Sequence, residues 1–399
     1  MPHWREKVRL SLLRFFARLS GPFVPSGKTP PRIGARVLMV RPDHLGDLLF
    51  TTPALREFRE QHPDAHVTLL VGPWSLPVAE GCPYVDAVEV CSFPGFSRGC
   101  KGRVWQPYAL LFRESRRLRD GHFDQAIILR FDHWWGALLT YTAGIPCRVG
   151  YGVRECEPFL TRVVPYVRGR HEVLQNLVLM RAAECREPMV KAELPAVEPS
   201  GTPLEFAPSE AAVTQVRTML EADGVGSTVM LVCLHPGAGA LVKRWRPEGF
   251  AEVGDALASQ YGARVVITGS AGEVGLGEEI ASLMRESPLL LAGRTDLDQL
   301  SALLARCSLV VGPDSGPLHL AVAVGTPSVH LYGPGDPMIF GPWGDAERHL
   351  VVTSEMDCVP CGRLDYAPAE LWEHPCVRRI STDQVLEACR RLLAKPVSG

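Results

Sequence analysis

The sequence of 399 residues predicts an α/β fold of two Rossmann-like, doubly wound domains. Short apolar runs that are typical of buried strands alternate with helical runs, as in parallel sheets built from βαβ units. Five prolines between residues 188 and 208 indicate a linker, after which the alternation starts again. We therefore expect two domains that face a central cleft, with ligand bound at the carboxyl ends of their strands.

The first half opens with a strand signal, R-V-L-M-V at Arg36–Val40. A polar turn, R-P-D-H-L-G-D at Arg41–Asp47, separates this strand from a helical run over residues 48–61. Further patterns predict a helix over 107–119 and strands over 66–71, 85–90 and 125–129.

The second half begins with a strand over 229–234, which H-P-G-A-G and a helix over 247–261 follow. A final helix over 382–394 has a Ser/Thr and Asp start signal. Between them the patterns predict strands at 263–268, 289–292, 309–311 and 328–332, and helices at 274–284, 297–305 and 318–324.

Composition narrows the class of protein. The formal net charge of −2 argues against a dedicated nucleic-acid-binding protein, because such proteins usually have a basic bias. The 12 cysteines are scattered and do not have the pattern of a disulfide scaffold. Since we find no secretory signal and no apolar run of membrane-spanning length, we predict a cytoplasmic protein.

The N-terminal residues 4–19 form a basic amphipathic pattern. Five basic residues (Arg5, Lys7, Arg9, Arg14 and Arg18) against Glu6 give a charge of +4. An apolar stripe at helical spacing runs through Trp4, Val8, Leu12, Phe15 and Leu19. This pattern is typical of a helix on an anionic membrane surface, and the alternative is a surface helix that docks on the domain by that stripe.

Asp47 is the candidate catalytic residue. It stands in the first turn of the helix that follows the first strand. A carboxylate with an ordinary pKa of about 3.9 is ionised at neutral pH and can act as a general base. The alternative is a helix cap or a partner of the helix dipole.

The stretch V-V-G-P-D-S-G-P-L-H at Val310–His319 predicts a phosphate site. It indicates a strand, a tight polar turn and a helix, and such a turn aims backbone N–H groups and a helix N-terminus at an anion. Asp314, Ser315 and His319 stand where a bound ligand would contact them.

A second phosphate-type turn is H-P-G-A-G-A-L-V-K-R-W at His235–Trp245. Gly237 and Gly239 allow close backbone approach, and Lys243 supplies a charge that attracts a phosphate by roughly 4 kcal/mol at about 4 Å. A glycine-rich connection with a solvated lysine is the alternative. Glu273, after a further strand, is a candidate partner of ribose hydroxyls, or else an exposed acid near a helix start.

Cys358, Cys361 and Cys376 lie close together in the sequence, near His374. Three cysteines and a histidine can bind zinc, but His374 and Cys376 are only two residues apart, which leaves the fourth ligand poorly specified. A reduced or disulfide-prone cluster is the favoured interpretation.

Together these motifs resemble glycosyltransferase family 9, the ADP-heptose:lipopolysaccharide heptosyltransferases, over roughly Arg36–Ala388. The resemblance rests on the order and spacing of several stretches. They are R-P-D-H-L-G-D-L-L-F-T-T-P-A-L, H-P-G-A-G-A-L-V-K-R-W-R-P-E-G-F, L-A-G-R-T-D-L-D-Q-L, G-P-D-S-G-P-L-H-L-A-V-A-V-G-T-P, Y-G-P-G-D-P and C-V-P-C.

The resemblance implies a GT-B fold, an inverting transfer and no metal or other cofactor in the site. Asp47 would take the proton from the acceptor hydroxyl, and Lys243 would offset charge on the departing ADP. The backbone amides of residues 314–318, with Ser315, would hold the pyrophosphate, and Glu273 the ribose. The predicted donor-binding set is Gly237, Gly239, Lys243, Glu273, Asp314, Ser315, Gly316, Leu318 and His319.

The resemblance also implies partners. ADP-heptose or a related nucleotide sugar would be the donor, and a lipid A–core molecule the acceptor, in contact with Arg130 and His133, with peripheral contact at the cytoplasmic face of the inner membrane. The alternatives are another sugar nucleotide or acceptor, an epimerase, or a non-catalytic binding protein. We predict an extension (1–35), an acceptor domain (36–190), a linker (191–208), a nucleotide-sugar domain (209–375) and a C-terminal helix (376–399) that packs back on the acceptor domain.

Overall fold

A computed structural model describes residues 3–27, 34–96, 105–184 and 201–394, with main-chain structure only for residues 3–7. The chain forms two compact units, Met1–Val197 and Glu198–Gly399. Residues 191–200 of the predicted linker lie outside the described residues. Its remaining part packs on the second unit, where Leu204 is buried and the indole Nε1 of Trp343 donates to the carbonyl oxygen of Thr202 at 2.8 Å.

The first unit has one six-stranded sheet in the order β3-β2-β1-β4-β5-β6, and all its pairs are parallel. In the central register, Val37 pairs with Val67 on one side and with Gln125 on the other. The strands are β1 (Arg36–Arg41), β2 (His66–Val71), β3 (Ala87–Val90), β4 (Gln125–Ile128), β5 (Cys147–Tyr151) and β6 (Arg162–Val164).

The helices of the first unit cover both faces of this sheet. They are α1 (His3–Ser20), α2 (Leu45–Leu49), α3 (Thr52–Gln61), α4 (Leu76–Glu80), α5 (Gln106–Asp120), α6 (Trp134–Thr142) and α7 (Glu172–Glu184). The single helix predicted over 48–61 is wrong, because the chain breaks between α2 and α3. Pro53 lacks an N–H and its ring would clash with the carbonyl of Leu49 in a continuous helix, so a new helix begins at Thr52.

The second unit repeats the topology, with the strand order β12-β11-β10-β7-β8-β9 and parallel pairs throughout. Counted from its own first strand, this order is the Rossmann order 3-2-1-4-5-6, as in the first unit. Two Rossmann-like, doubly wound units are therefore confirmed. The strands are β7 (Leu231–Leu234), β8 (Arg264–Ile267), β9 (Leu289–Leu290), β10 (Leu309–Pro313), β11 (Ser328–Tyr332) and β12 (His349–Thr353).

The helices of the second unit are α8 (Glu210–Ala222), α9 (Pro247–Tyr261), α10 (Val274–Leu283), α11 (Leu297–Arg306), α12 (Gly316–Ala323), α13 (Pro337–Phe340) and α14 (Thr382–Leu393). Five of these helices lie where the sequence predicted them, whereas α8 and α13 were not predicted. The start signal of α14 is a capping box between Ser381 and Gln384.

The apolar face of α14 is buried in the core of the second unit. Val385 and Cys389 pack there with Leu331 and other buried side chains of the sheet and of α9. This corrects the expectation that the C-terminal helix packs back on the acceptor domain. Its stripe completes the cover of its own sheet.

The face by which α1 docks differs from the predicted one. Leu13 and Ala17 pack against the core of the first unit, whereas Val8, Leu12, Phe15 and Leu19 are exposed. We call these four residues the outer face of α1. Docking through the apolar stripe is therefore wrong for the described residues. The side chain of Trp4, also assigned to the stripe, lies outside them.

Candidate functional site

The chain order of both sheets reverses between the first and the fourth strand, and ligands of doubly wound sheets bind at that switch point. In the first unit the segments after β1 and β4 meet there, and in the second unit the segments after β7 and β10. Every catalytic and phosphate-binding residue predicted above, except Glu273, lies in one of these four segments or at the start of the helix that follows it.

Around Arg41, at the end of β1, lies a charged cluster. Its fully buried guanidinium places Nε 3.0 Å from Asp43 Oδ2, and Nη2 3.4 Å from Glu172 Oε2 and 3.8 Å from Asp47 Oδ1. Nη1 also donates to Asn176 Oδ1 at 3.3 Å. We call Arg41, Asp43, Asp47 and Glu172 the Arg41 cluster. Its cation holds three carboxylates, two from residues 43–47 and one from α7.

Asp47 is the unusual member of this cluster, because its pKa is raised to about 7. Burial is the largest cause, and the neighbouring carboxylate of Asp43 adds to it, while the Arg41 guanidinium opposes both. The side chain keeps 31% of its surface exposed, so a ligand can reach its oxygens. The expected ordinary carboxylate is corrected to one that titrates near neutral pH, which suits a general base.

Arg130 and His133, after β4, flank the same switch point. Arg130 forms ion pairs with Asp43 and with Asp132, the latter at 2.5 Å from Nε to Oδ1. Burial lowers the pKa of His133 to about 3, so its ring is neutral, and it packs edge-on against Phe93 at 5.1 Å. Both residues line a cavity of about 400 Å³, together with Pro94, Gly95, Phe96, Pro107, Tyr108, Asp132, Trp134 and Trp135.

In the second unit the structure brings Lys243, Asp314 and His319 together. Lys243 Nζ lies 2.6 Å from Asp314 Oδ2, and His319 Nε2 lies 3.7 Å from Asp314 Oδ1. Burial alone would raise the pKa of Asp314, but the nearby His319 ring and the charge of Lys243 lower it to about 2. We call these three residues the Lys243 triad. Asp314 is therefore ionised at neutral pH and holds the Lys243 ammonium at the switch point.

The turn before α12 offers fewer free backbone N–H groups to a bound anion than its sequence indicates. The N–H of Asp314 donates to the Leu331 carbonyl and that of Leu318 to the Ser315 carbonyl, both at 3.1 Å, and Pro317 has no N–H. The Leu318 side chain is also fully buried, so its predicted part in binding the donor, through the backbone, stays a prediction. Within the described chain, the amides of Ser315 and Gly316 remain for an anion, beside a buried Ser315 Oγ without a hydrogen-bond partner.

Glu273 lies against the glycine-rich turn after β7. A Cβ on Gly237 would collide with the Glu273 carboxylate in its present position, so a larger residue there would displace that carboxylate. Gly239 is exposed further along the turn. Glu273 Oε2 accepts from the Ser270 N–H at 2.9 Å, and its other oxygen lies 3.4 Å from Arg244 Nη2. The carboxylate therefore serves as a cap of its own segment and contacts the turn as well.

The three cysteines near the C-terminus do not form a metal centre in the described residues, where no group of three or more ligating side chains occurs. Cys376 is buried, whereas Cys358 and Cys361 are exposed. The ring of His374 stacks on Tyr366 at 3.7 Å between centroids.

Sequence reasoning missed the charged residues that surround Asp47. Arg41 and Asp43 stand in the R-P-D-H-L-G-D motif, so their position there was the available signal. Glu172 has no local signal, since it reaches the cluster from α7, 131 residues after Arg41.

Comparison with known proteins agrees with this geometry. The family model of glycosyltransferase family 9 (heptosyltransferase) matches residues 111–365. Lipopolysaccharide heptosyltransferase 3 of Escherichia coli K12 is 29% identical over 306 residues, which cover 75% of this chain and 82% of that protein. Lipooligosaccharide heptosyltransferase 2 of Haemophilus influenzae is 26% identical, with 90% and 99% covered.

Solved structures show the same fold. The E. coli ADP-heptose lipopolysaccharide heptosyltransferase II aligns with a TM-score of 0.70 at 24% identity, covering 90% of this chain and 98% of that one. A family 9 glycosyl transferase from Veillonella parvula aligns with a TM-score of 0.75 at 23% identity, covering 92% and 100%. In the described part of the chain, no helix combines the length and the apolar character that a membrane span requires.

Proposed function

The chain belongs to glycosyltransferase family 9, the heptosyltransferases, and from this premise we propose that it transfers a heptose from ADP-heptose to the inner core of a lipopolysaccharide. The relatives' names support the sugar and the product, and the ADP-heptose in the name of one solved relative supports the donor. The observation that carries the chemistry is the carboxylate of Asp47, reachable, set in the Arg41 cluster and with a pKa near 7.

In the proposed reaction, an oxygen of Asp47 accepts the proton of the acceptor hydroxyl. The hydroxyl oxygen forms a bond to the anomeric carbon of the heptose, and the bond from that carbon to the diphosphate oxygen breaks, with inversion. ADP leaves with the bonding electron pair. A base with a pKa near the working pH is efficient in such a step, because it is substantially ionised and yet basic.

The Lys243 triad and the start of α12 are the proposed donor site. The Lys243 ammonium would offset the charge that grows on the diphosphate, and the Ser315 and Gly316 amides would donate to its oxygens. Asp314 holds Lys243 in place and is itself a negative charge there, so the diphosphate must contact the side of the ammonium that faces away from Asp314. Glu273 would accept hydrogen bonds from the ribose hydroxyls.

The cavity lined by Arg130 and His133 is the proposed acceptor site. Arg130 supplies a cation at its rim, and Phe96, Trp134 and Trp135 supply aromatic surfaces on which sugar rings pack. An anionic lipid A–core molecule meets both requirements. With a lipid acceptor, the proposed location of the enzyme is the cytoplasmic face of the inner membrane.

The transfer itself is tested by incubating the protein with ADP-heptose and a defined lipid A–core acceptor, followed by mass spectrometry. We expect the acceptor to gain the mass of one heptose, and we expect UDP- and GDP-sugars to give no product. Release of ADP without a heavier acceptor would refute this acceptor class. Thermal stabilisation by a UDP- or GDP-sugar in preference to ADP-heptose would refute the donor assignment.

The pH dependence of the reaction follows from Asp47. Because its pKa is raised to about 7, the carboxyl is mostly protonated at pH 6 and cannot accept a proton, so kcat/KM should rise with pH and level off above about 8. Initial rates between pH 5 and 9 at low substrate concentration measure this profile. A rate that stays constant down to pH 5 would contradict the raised pKa of Asp47, since an aspartate with an ordinary pKa remains ionised at pH 5.

A further inference from the structure

Three sides of α1 have different surroundings. On one side, Arg9 pairs with Glu155 at 3.4 Å, Ser20 Oγ lies 2.9 Å from the Tyr141 hydroxyl, and Leu13 and Ala17 pack on the core. These positions recur at steps of three or four residues and form one stripe. The helix is thus attached to the first unit along its length by polar and apolar contacts together.

The outer face of α1 is turned away from that attachment. Val8, Leu12, Phe15 and Leu19 keep between 48% and 63% of their surface exposed. Phe23, directly after the helix, is exposed to 86%. A surface helix of a globular protein normally buries its apolar residues. Five neighbouring exposed apolar residues therefore indicate a surface that a membrane or another molecule covers.

The third side of α1 is basic. Arg14 and Arg18 are both exposed and one turn apart, next to the outer face. Neither takes part in an ion pair found within the described ranges of the chain. An apolar face beside a row of unneutralised cations is complementary to a bilayer with anionic headgroups, in which acyl chains and phosphates lie at neighbouring depths. A second copy of this chain would instead bring like charges together.

We propose that the outer face of α1 lies on the surface of an anionic bilayer, with Arg14 and Arg18 at the headgroups. Contact of this kind attaches the first unit without a membrane-spanning segment. It is reversible, and it depends on both the apolar face and the basic side.

This surface is next to the proposed acceptor cavity. The guanidinium of Arg9 lies 5.4 Å from the ring centre of Trp134, which lines that cavity. Trp134 and Tyr141 of α6 both contact α1, and α6 also contacts α5, where Tyr108 and Phe112 are exposed. Given the proposed function, a lipid-linked acceptor would reach the cavity while its acyl chains stay in the bilayer.

The test is sedimentation of the full chain with vesicles of phosphatidylcholine, with or without phosphatidylglycerol. The wild type should bind the anionic vesicles and be released by salt. We expect L12E/F15E to lose about tenfold or more of this binding. The matched control is V213E/L283E, which places two glutamates at similarly exposed apolar positions of α8 and α10 and should bind as the wild type does. Equal binding by L12E/F15E and the wild type would overturn the proposal.

Two further measurements distinguish membrane binding from an interface between copies of the chain and from the proposed transfer reaction. If L12E/F15E changes a dimer into a monomer and the wild type ignores anionic vesicles, the outer face is an interface between copies and the proposal is wrong. Transfer to a delipidated acceptor should be unchanged in L12E/F15E, whereas transfer to vesicle-borne acceptor should fall. Vesicle binding without transfer to either acceptor would refute the proposed function and leave the membrane surface supported.

Discussion

Asp47→Asn should lower kcat by about 10²- to 10⁴-fold, the usual effect of removing a general base. The amide has nearly the shape of the carboxylate and accepts hydrogen bonds, but it does not take a proton from the acceptor hydroxyl. Steady-state rates of heptose transfer measure the loss. Because the Arg41 cluster keeps Asp43 and Glu172 as partners of Arg41, the local structure should survive the substitution.

Two controls distinguish a chemical loss from a folding loss. Binding of the ADP-type donor should be unchanged in Asp47→Asn, since the proposed donor residues lie in the second unit. The native carboxyl has a raised pKa, so its stability cost is absent below pH 4 and grows as the pH rises toward 7. The variant should therefore melt no earlier than the wild type at pH 8. Full activity of the variant would remove Asp47 from the mechanism.

Lys243→Ala should weaken binding of ADP and of ADP-heptose by about 10- to 100-fold, the effect of losing a charge-assisted contact to a phosphate. Part of the loss has a second cause, because Asp314 then faces the diphosphate without its ammonium partner. Titration calorimetry measures the affinity. In K243A/D314N that repulsion is gone, so the double variant should bind more tightly than Lys243→Ala alone.

Arg246→Ala is the matched control for the lysine. It stands three residues later in the same connection, but its guanidinium contacts Thr382 at 2.5 Å and Glu252 at 3.6 Å, which belong to α14 and α9. Its removal should leave donor affinity unchanged. If both variants bind ADP as the wild type does, the assignment of Lys243 to the donor site is wrong.

Strand and helix patterns predicted much of the second unit, where α11 and α14 are amphipathic and begin with capping boxes, but they missed α8, α13 and β12. Helix α7 has no such pattern. Its polar residues Glu172, Gln175 and Asn176 are buried along with its apolar ones, so no alternation marks a face. For that reason, sequence periodicity could not predict that Glu172 on α7 pairs with Arg41.

Amphipathic stripes show what must be covered but not what covers it. The stripe of α14 is covered by its own sheet, whereas the outer face of α1 is exposed. Likewise, Asp47 was found from its place after a strand, but its raised pKa depends on Asp43, Glu172 and burial, which only the folded chain brings together.

The identical strand order of the two units has a consequence for engineering. Each unit has a complete six-stranded sheet with its own core. The loops that follow its parallel strands all lie at the carboxyl edge of that sheet. Under the proposed assignment of the acceptor cavity, grafting the loop after β4 from other family members should change the acceptor sugar, while the half that carries Lys243 is left untouched. The acceptor and donor sites of the proposed enzyme could then be exchanged separately.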